Sequence, residues 1–239
     1  MSARLICAAL AFACIATGAS AQTVVGRESV AGKYNRLQDY TYRPQNGASP
    51  ITPNIFGTGA VAAGVTFYDA RFRRVSNTDR MHPMVLQLAD TIRTMAPEQQ
   101  LAAVQREVKQ RVRWAPDLET MKVADLWANA GETLERGAGD SEDIATVEMQ
   151  VLKAAGWNAR DLYISIGREV GVGSHIVLLA RTPSGFYVLD DKFDHPVDAS
   201  GHGLFTPILT LGEGKSWVHG RRLKSASPLK SGSPRLSAR

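Results

Sequence analysis

Residues 137–156 read GAGDSEDIATVEMQVLKAAG, and this stretch decides the fold. Apolar residues recur at helical spacing from Ile144 onward, and Gly156 is a typical helix stop. Asp140 suits the N-cap position, and the acidic residues after it favour the positive end of the helix dipole. The stretch therefore predicts a glycine turn that leads into an amphipathic helix, with Ser141 at the start of the helix.

Two further helices are predicted before this stretch, over residues 82–95 and 97–114. Their apolar positions are three or four residues apart, as expected for one buried helix face. These positions are Met84, Leu88 and Ile92 in the first helix, and Leu101, Val104, Val108 and Val112 in the second. Pro97 suits the first position of a helix, so a short turn should separate the two helices.

After residue 156 the apolar pattern changes to a period of two, which is typical of strands. The segments ARDLYISIG, SHIVLLAR and GFYVLDD are predicted strands, and TPSG at residues 182–185 is a turn between the last two. Helices followed by an antiparallel sheet predict an α+β fold, with the N-terminal helices packed on the sheet.

The register of the last two strands selects a partner for His175. If residues 182–185 form a four-residue turn, His175 and Asp190 become diagonal neighbours on one face of the sheet. Asp191 should then point to the other face, and a slip of one residue would reverse this choice. We therefore expect Asp190 to be the acid that orients His175.

A histidine held by a carboxylate needs only a nucleophile to form a catalytic triad. A helix start is a favourable place for the nucleophile, because free backbone N–H groups there can stabilise an oxyanion. Ser141 provides a hydroxyl at such a position, which predicts a triad of Ser141, His175 and Asp190. The structural alternative is that Ser141 is only a polar residue in the first turn, while Asp140 and Asp143 cap the helix.

The chain resembles the bacterial transglutaminase-like cysteine proteinases, a papain-like group that includes periplasmic proteases releasing surface adhesins. The matching segments are NIFGTGA, RWAPD, DLWANAGETLERGAGDSEDIA, GSHIVLLAR, YVLDD and SWVHG. The resemblance implies a papain-like, transglutaminase-like fold and a peptide or protein substrate, with a cell-surface protein as one candidate. It also implies that Trp127 and Trp217 line the substrate groove. Ser141 stands at the family's cysteine position, and Asp191 stands where asparagine is common.

The serine leaves three functional interpretations open. A thiol with a pKa near 8.5 can be stored as a thiolate beside an imidazole, whereas a hydroxyl must lose its proton during attack. The first interpretation is a serine-dependent peptidase or hydrolase, and the second is a pseudoenzyme that keeps the groove for protein binding or regulation. A purely structural envelope protein is the third possibility. Transglutamination is disfavoured, because the resemblance is to hydrolytic members.

Three acids, Asp140, Glu142 and Asp143, flank the predicted nucleophile. The family resemblance implies calcium at these positions, and carboxylate oxygens are suitable ligands for that ion. Calcium takes about 6 to 8 oxygen ligands, so carbonyl groups or water would complete the shell. No other cofactor is expected.

Residues 1–21 have the pattern of a cleaved signal peptide. Arg4 precedes an apolar run over residues 5–15, and the segment ends in Ala-Ser-Ala. The run is shorter than the roughly 20 residues of a membrane span, so no transmembrane segment is predicted. Cys7 and Cys14 both lie in this segment, which leaves the exported chain without a thiol. These features predict a periplasmic or secreted protein.

The remaining chain is predicted to contain one domain over residues 56–222. Residues 22–55 are rich in Gly, Pro, Asn and Thr without a sustained period, which is typical of an extended arm. Residues 223–239 form a basic tail, predicted to be disordered, that contributes to the formal net charge of +5. Nucleic acid is not an expected partner, because the protein is predicted to be exported.

Overall fold

The computed structural model of the chain describes residues 55–77 and 81–222. The predicted signal peptide, the basic tail and all but Ile55 of the predicted arm lie outside the described residues. Ile55 is 2% exposed and belongs to an apolar cluster of the domain. The division into arm, domain and tail otherwise stays a prediction.

Helices and strands alternate irregularly along the described chain. The helices are α1 (Tyr68–Ser76), α2 (Pro83–Ile92), α3 (Pro97–Arg111), α4 (Asp117–Thr120), α5 (Ala130–Arg136) and α6 (Ser141–Ala154). The strands are β1 (Thr58–Ala63), β2 (Arg113–Trp114), β3 (Ala138–Gly139), β4 (Leu162–Glu169), β5 (Gly173–Thr182), β6 (Gly185–Leu189), β7 (Val197–Asp198), β8 (Phe205–Gly212) and β9 (Lys215–Arg222). None of the helices in these described ranges is long and apolar enough to cross a bilayer.

The main sheet has seven strands in the order β1-β9-β8-β4-β5-β6-β7, and all its neighbouring pairs are antiparallel. Strands β2 and β3 form a separate parallel pair. The predicted α+β fold, with helices packed on an antiparallel sheet, is confirmed. β1 and α1 form in segments whose sequence periodicity predicts neither a helix nor a strand. α2 and α3 each end three residues before the predicted end of the helix.

Apolar clusters lie on both faces of the main sheet. On one face, Ile164, Leu178 and Leu209 pack against the helices in the larger cluster. The smaller cluster contains Tyr163 and Val177, which alternate with those residues along the strands. The sheet is therefore buried on both sides.

Helix α6 lies at the centre of the helical layer, in contact with α2, α3, α5 and β5. Residues 142–152 are all buried, including Glu148 and Gln150. The predicted helix is present, but the prediction of an exposed polar face is wrong, because neighbouring elements cover every side. A helix covered in this way has little freedom to move relative to the sheet.

The hairpin of β5 and β6 has the predicted register, with Arg181 opposite Phe186 and Leu178 opposite Leu189. β6 ends at Leu189, and a hydrogen bond from Phe193 N to Asp190 O begins a turn directly after it. Asp190 and Asp191 therefore lie beyond the regular strand.

Candidate active site

Ser141 begins α6 at a point fixed by the short β2–β3 pair. Trp114 lies opposite Gly139, and Ala115 N donates to Gly139 O at 2.9 Å. This pairing places the Trp114 indole beside the helix start, where Nε1 donates to Ser141 Oγ at 3.4 Å. Asp140 occupies the N-cap position with extended backbone, but its side chain makes no capping hydrogen bond.

The structure brings Ser141, His175 and Asp190 together. Ser141 Oγ lies 3.2 Å from His175 Nδ1, and His175 Nε2 lies 2.9 Å from Asp190 Oδ1. His175 and Asp190 are only 3% and 1% exposed, whereas Ser141 is half-buried. The hydroxyl therefore stands at the accessible end of a buried hydrogen-bonded chain.

Asp190 is held by several donors. Lys192 N donates to Oδ1 at 3.0 Å, and His202 Nε2 lies 3.1 Å from Oδ2. Burial opposes ionisation of Asp190, but the hydrogen bonds from His175 and His202 outweigh it and hold its pKa below the ordinary value. His202 lies in the loop between β7 and β8 and is 5% exposed.

Asp191 also belongs to the site. Its Oδ2 accepts a hydrogen bond from Ser141 Oγ at 2.7 Å, and its Oδ1 lies 3.8 Å from His175 Nε2. Burial raises the pKa of this carboxyl. The prediction that Asp191 points away from His175 is wrong, because alternation along a strand does not extend beyond Leu189, where β6 ends.

A third carboxyl, Glu169, lies 3.6 Å from His175 Nε2 and is ion-paired with Lys192. The imidazole thus has Glu169, Asp190 and Asp191 close to one nitrogen. Negative groups at this distance stabilise the positive charge that an imidazole gains when it accepts a proton.

The two tryptophans expected as groove walls are not brought to Ser141. Trp127 is buried in the helical core, with its ring 6.0 Å from that of Tyr68. Trp217 packs against Tyr163 in the smaller cluster and lines a separate cavity of about 730 Å³. Trp114, 54% exposed, is the tryptophan in contact with the nucleophile position.

The acids around Ser141 belong to a larger cluster. Carboxylate oxygens of Asp140 and Asp143 lie within 4.8 Å of one another and of Asp117. Glu142 forms a similar group with Asp117 and Asp125. The spacing of the acids along the sequence did not predict Asp117 and Asp125 as members of the cluster, although they lie in the segments RWAPD and DLWANAGETLERGAGDSEDIA.

The acidic cluster is buried and incompletely hydrogen-bonded. Burial and neighbouring acids raise the pKa of Asp140 to about 8, and burial raises that of Asp143 to about 7. Among the described residues, Oδ1 of Asp117 and Oδ1 of Asp140 have no hydrogen-bond partner. Asp143 accepts from Ala128 N at 2.8 Å and from the Arg136 guanidinium at 2.9 Å. Unpartnered buried oxygens that resist ionisation fit a hard cation.

Gly139 permits this arrangement of the acids. A Cβ at this position would lie 2.6 Å from Asp143 Cβ and 2.8 Å from its Oδ2. Any larger residue would displace Asp143 or the turn that precedes Ser141.

Comparison with solved structures gives similar folds in LapG of Legionella pneumophila. Calcium-bound LapG is 22% identical, with a TM-score of 0.52, and the match covers 68% of this chain and 93% of LapG. EGTA-treated LapG is also 22% identical, with a TM-score of 0.51 and coverage of 65% and 87%. At this identity the likeness shows the fold, and the papain-like, transglutaminase-like prediction is confirmed.

Comparison at the level of sequence families identifies the group. A search of curated proteins found no match. The sequence profile of the bacterial transglutaminase-like cysteine proteinases (BTLCP) matches residues 70–199, which is more than half of the chain and includes Ser141, His175 and Asp190. The chain therefore belongs to the bacterial transglutaminase-like cysteine proteinase family.

Proposed function

We propose that this protein is a hydrolase that binds a peptide or protein segment and uses Ser141 as its nucleophile. His175 is the general base and Asp190 orients the imidazole. The observation that carries the proposal is the continuous contact from Ser141 Oγ to His175 Nδ1 at 3.2 Å and from His175 Nε2 to Asp190 Oδ1 at 2.9 Å.

The reaction would begin with transfer of the Ser141 hydroxyl proton to His175 Nδ1 as Oγ attacks a substrate carbonyl carbon. The carbonyl oxygen becomes an oxyanion, for which the Trp114 indole N–H and the free N–H groups at the start of α6 are available donors. His175 then gives the proton to the leaving group, and an acyl-serine remains. Water, deprotonated by His175, releases the acid and restores Ser141.

The carboxyls around His175 support the use of a hydroxyl. A serine cannot be stored as an anion at neutral pH, so the imidazole must become positive during attack. Asp190 and Glu169 both lie within 4 Å of His175 Nε2 and stabilise that charge. This arrangement compensates in part for the lower acidity of the hydroxyl.

One observation favours a second candidate, a pseudoenzyme that binds proteins without cleaving them. Ser141 Oγ lies 2.7 Å from Asp191 Oδ2, closer than its 3.2 Å distance to His175 Nδ1. A hydroxyl that donates to Asp191 does not direct its proton to the base.

A serine-reactive fluorophosphonate probe distinguishes the two functions. We expect the protein beginning at Gln22 to be labelled, with at least a hundredfold slower labelling in Ser141→Ala and His175→Ala. Ser184→Ala, in the β5–β6 turn, is the control and should react like the wild type. An unlabelled wild type, together with peptide hydrolysis that appears only in Ser141→Cys, would establish the pseudoenzyme.

We further propose calcium as the ligand of the acidic cluster, with Asp140, Glu142 and Asp143 joined by Asp117 and Asp125. The support is the grouping of their oxygens, the unpartnered Oδ1 atoms and the likeness to a calcium-bound LapG. When bound, calcium would supply positive charge that offsets the acids beside Ser141.

The proposed setting of this activity is the periplasm or the cell exterior, from the signal-like pattern of residues 1–21. The proposed partner is a peptide or protein segment, such as that of a cell-surface protein. Expression with a reporter fused after residue 60 tests export directly.

A further inference from the structure

A cavity of about 220 Å³ opens beside Ser141, between α3 and α6. Trp114 and Asp191 line it, and both contact Ser141 Oγ. Val112 and Ile144 provide apolar walls, and both are buried. A substrate side chain next to the bond that Ser141 attacks could therefore enter this cavity.

The buried end of the cavity contains hydrogen-bond acceptors. Glu148 is 1% exposed and lines this cavity, and the nearby charges that act on its carboxyl are the like charges of Asp190 and Asp191. Gln105 Nε2 donates to Asp190 O at 2.8 Å and to Phe193 O at 3.0 Å, which leaves its Oε1 without a partner. Glu148 and Asp191 thus bring carboxyl oxygens to the cavity, and Gln105 Oε1 adds an acceptor that lacks a donor.

The basic residues that line the cavity are already paired. Lys109 Nζ lies 2.6 Å from Asp194 Oδ1, and Arg113 Nη2 lies 2.9 Å from Glu119 Oε1. Neither cation is bonded to Glu148. Burial, with Asp191 and Asp190 nearby, raises the pKa of Glu148 well above its ordinary value. Ionisation of a carboxyl buried in this way is favourable only when a cation is paired with it.

We propose that this cavity is a subsite for a lysine or arginine side chain of the substrate, whose charged head is bound by Glu148. The stem of that side chain would lie between Val112 and Ile144, and Gln105 Oε1 would accept a second hydrogen bond. The proposal deepens the proposed hydrolase function and rests on Ser141 as its nucleophile.

The spacing along α6 suits this role. Glu148 follows Ser141 by two helical turns, about 10 Å along the axis. Its side chain leans toward the N-terminus, as side chains on helices do, and so toward Ser141. An extended lysine side chain, roughly 6 Å long, would span most of this separation.

Two peptidyl diphenyl phosphonates test the subsite, with lysine or uncharged norleucine as the residue attached to phosphorus. We expect the lysine probe to label wild-type Ser141 at least about tenfold faster, since hydrogen bonds to charged groups contribute about 1.5–3 kcal/mol. In Glu148→Gln the ratio of the two rates should fall to about one. Glu107→Gln is the matched control, because it removes an acid from α3 that pairs with Arg111 and does not line the cavity.

Equal rates for the two probes in the wild type, or a lysine preference that persists in Glu148→Gln, would overturn the subsite. If neither peptide probe reacts, the subsite is tested by titrating the protein separately with n-butylammonium and with 1-butanol. The measured quantity is the NMR chemical shift of the Trp114 indole N–H. Shifts caused by the ammonium alone, and lost in Glu148→Gln, support the subsite even where hydrolysis fails. No shift in the wild type refutes it.

Discussion

His202 Nε2 lies 3.1 Å from Asp190 Oδ2, so the carboxylate that orients His175 is itself held by a second buried histidine. A carboxylate with both oxygens bonded is fixed in rotation, and the His175 ring is fixed with it. His202 is therefore a positioning residue for the proposed base.

Replacement of His202 should slow the labelling of Ser141 by a fluorophosphonate. We expect about a tenfold loss in His202→Phe and partial recovery in His202→Gln, which keeps an N–H donor. His195→Asn is the control, since His195 is exposed. A purely structural role for His202 predicts instead that labelling follows thermal stability and that glutamine gives no recovery.

Asp191 should restrain Ser141 in the wild type. Its carboxylate accepts the Ser141 hydroxyl at 2.7 Å and opposes the negative charge that develops on Oγ. Asp191→Asn should raise the second-order rate of fluorophosphonate labelling at pH 8 by about threefold to tenfold, which corresponds to about 1 kcal/mol. Asp194→Asn, which removes an exposed acid paired with Lys109, should leave the rate unchanged. A slower Asp191→Asn would show that Asp191 assists the reaction.

Glu148 should make the folded state less stable as pH rises. Its pKa is raised in the folded protein, whereas it is about 4.3 in an unfolded chain. Folding therefore takes up a proton above about pH 4, and the free energy of unfolding falls until the folded pKa is reached. In urea unfolding, Glu148→Gln should be more stable than the wild type by about 1 kcal/mol or more at pH 7.5 and equal to it at pH 4.

Glu107→Gln is the control for that measurement. Glu107 lies on the surface of α3 and is paired with Arg111 at i,i+4. Such pairs contribute about 0.3–0.5 kcal/mol, so its effect should be small at both pH values. A Glu148→Gln variant less stable than the wild type at pH 7.5 would contradict the sign given for Glu148.

Calcium should stabilise the wild-type protein. Saturation at a hundredfold excess over Kd adds about 2.7 kcal/mol, which corresponds to a rise in Tm of about 5 °C or more for a domain of this size. Asp117→Asn should lose most of the shift, because Asp117 belongs to both groups of acids. Asp90→Asn, on exposed α2 surface, should retain it. Calorimetry in calcium and in EGTA would reject the site if Asp117→Asn kept the full shift.

The parts of the fold that depend on local patterns were predictable. Helix α6 follows from its glycine turn, acidic start and apolar spacing. The β5–β6 register follows from turn length, which places Leu178 opposite Leu189. Both features depend on residues close together in the sequence.

The rest of the site depends on contacts that no local pattern records. His202 lies in a turn-rich segment after β7, without periodicity, and its approach to Asp190 is set by the packing of separate loops. The predicted direction of the Asp191 side chain was wrong because β6 ends before this residue. Asp117 joins the acids of α6 across a long sequence separation. The burial of Glu148 could not be predicted, because it depends on every element that packs around α6.

Helix α6 carries Ser141, the acids that follow it and Glu148, and neighbouring elements enclose it. Because Ser141 and Glu148 stand on the same helix, insertions in the surrounding loops do not change the distance between them. A single residue inserted between Ser141 and Glu148 would rotate the carboxyl by about 100° out of the cavity. Replacement at fixed positions of one helix would therefore be sufficient to change the preference of the proposed subsite.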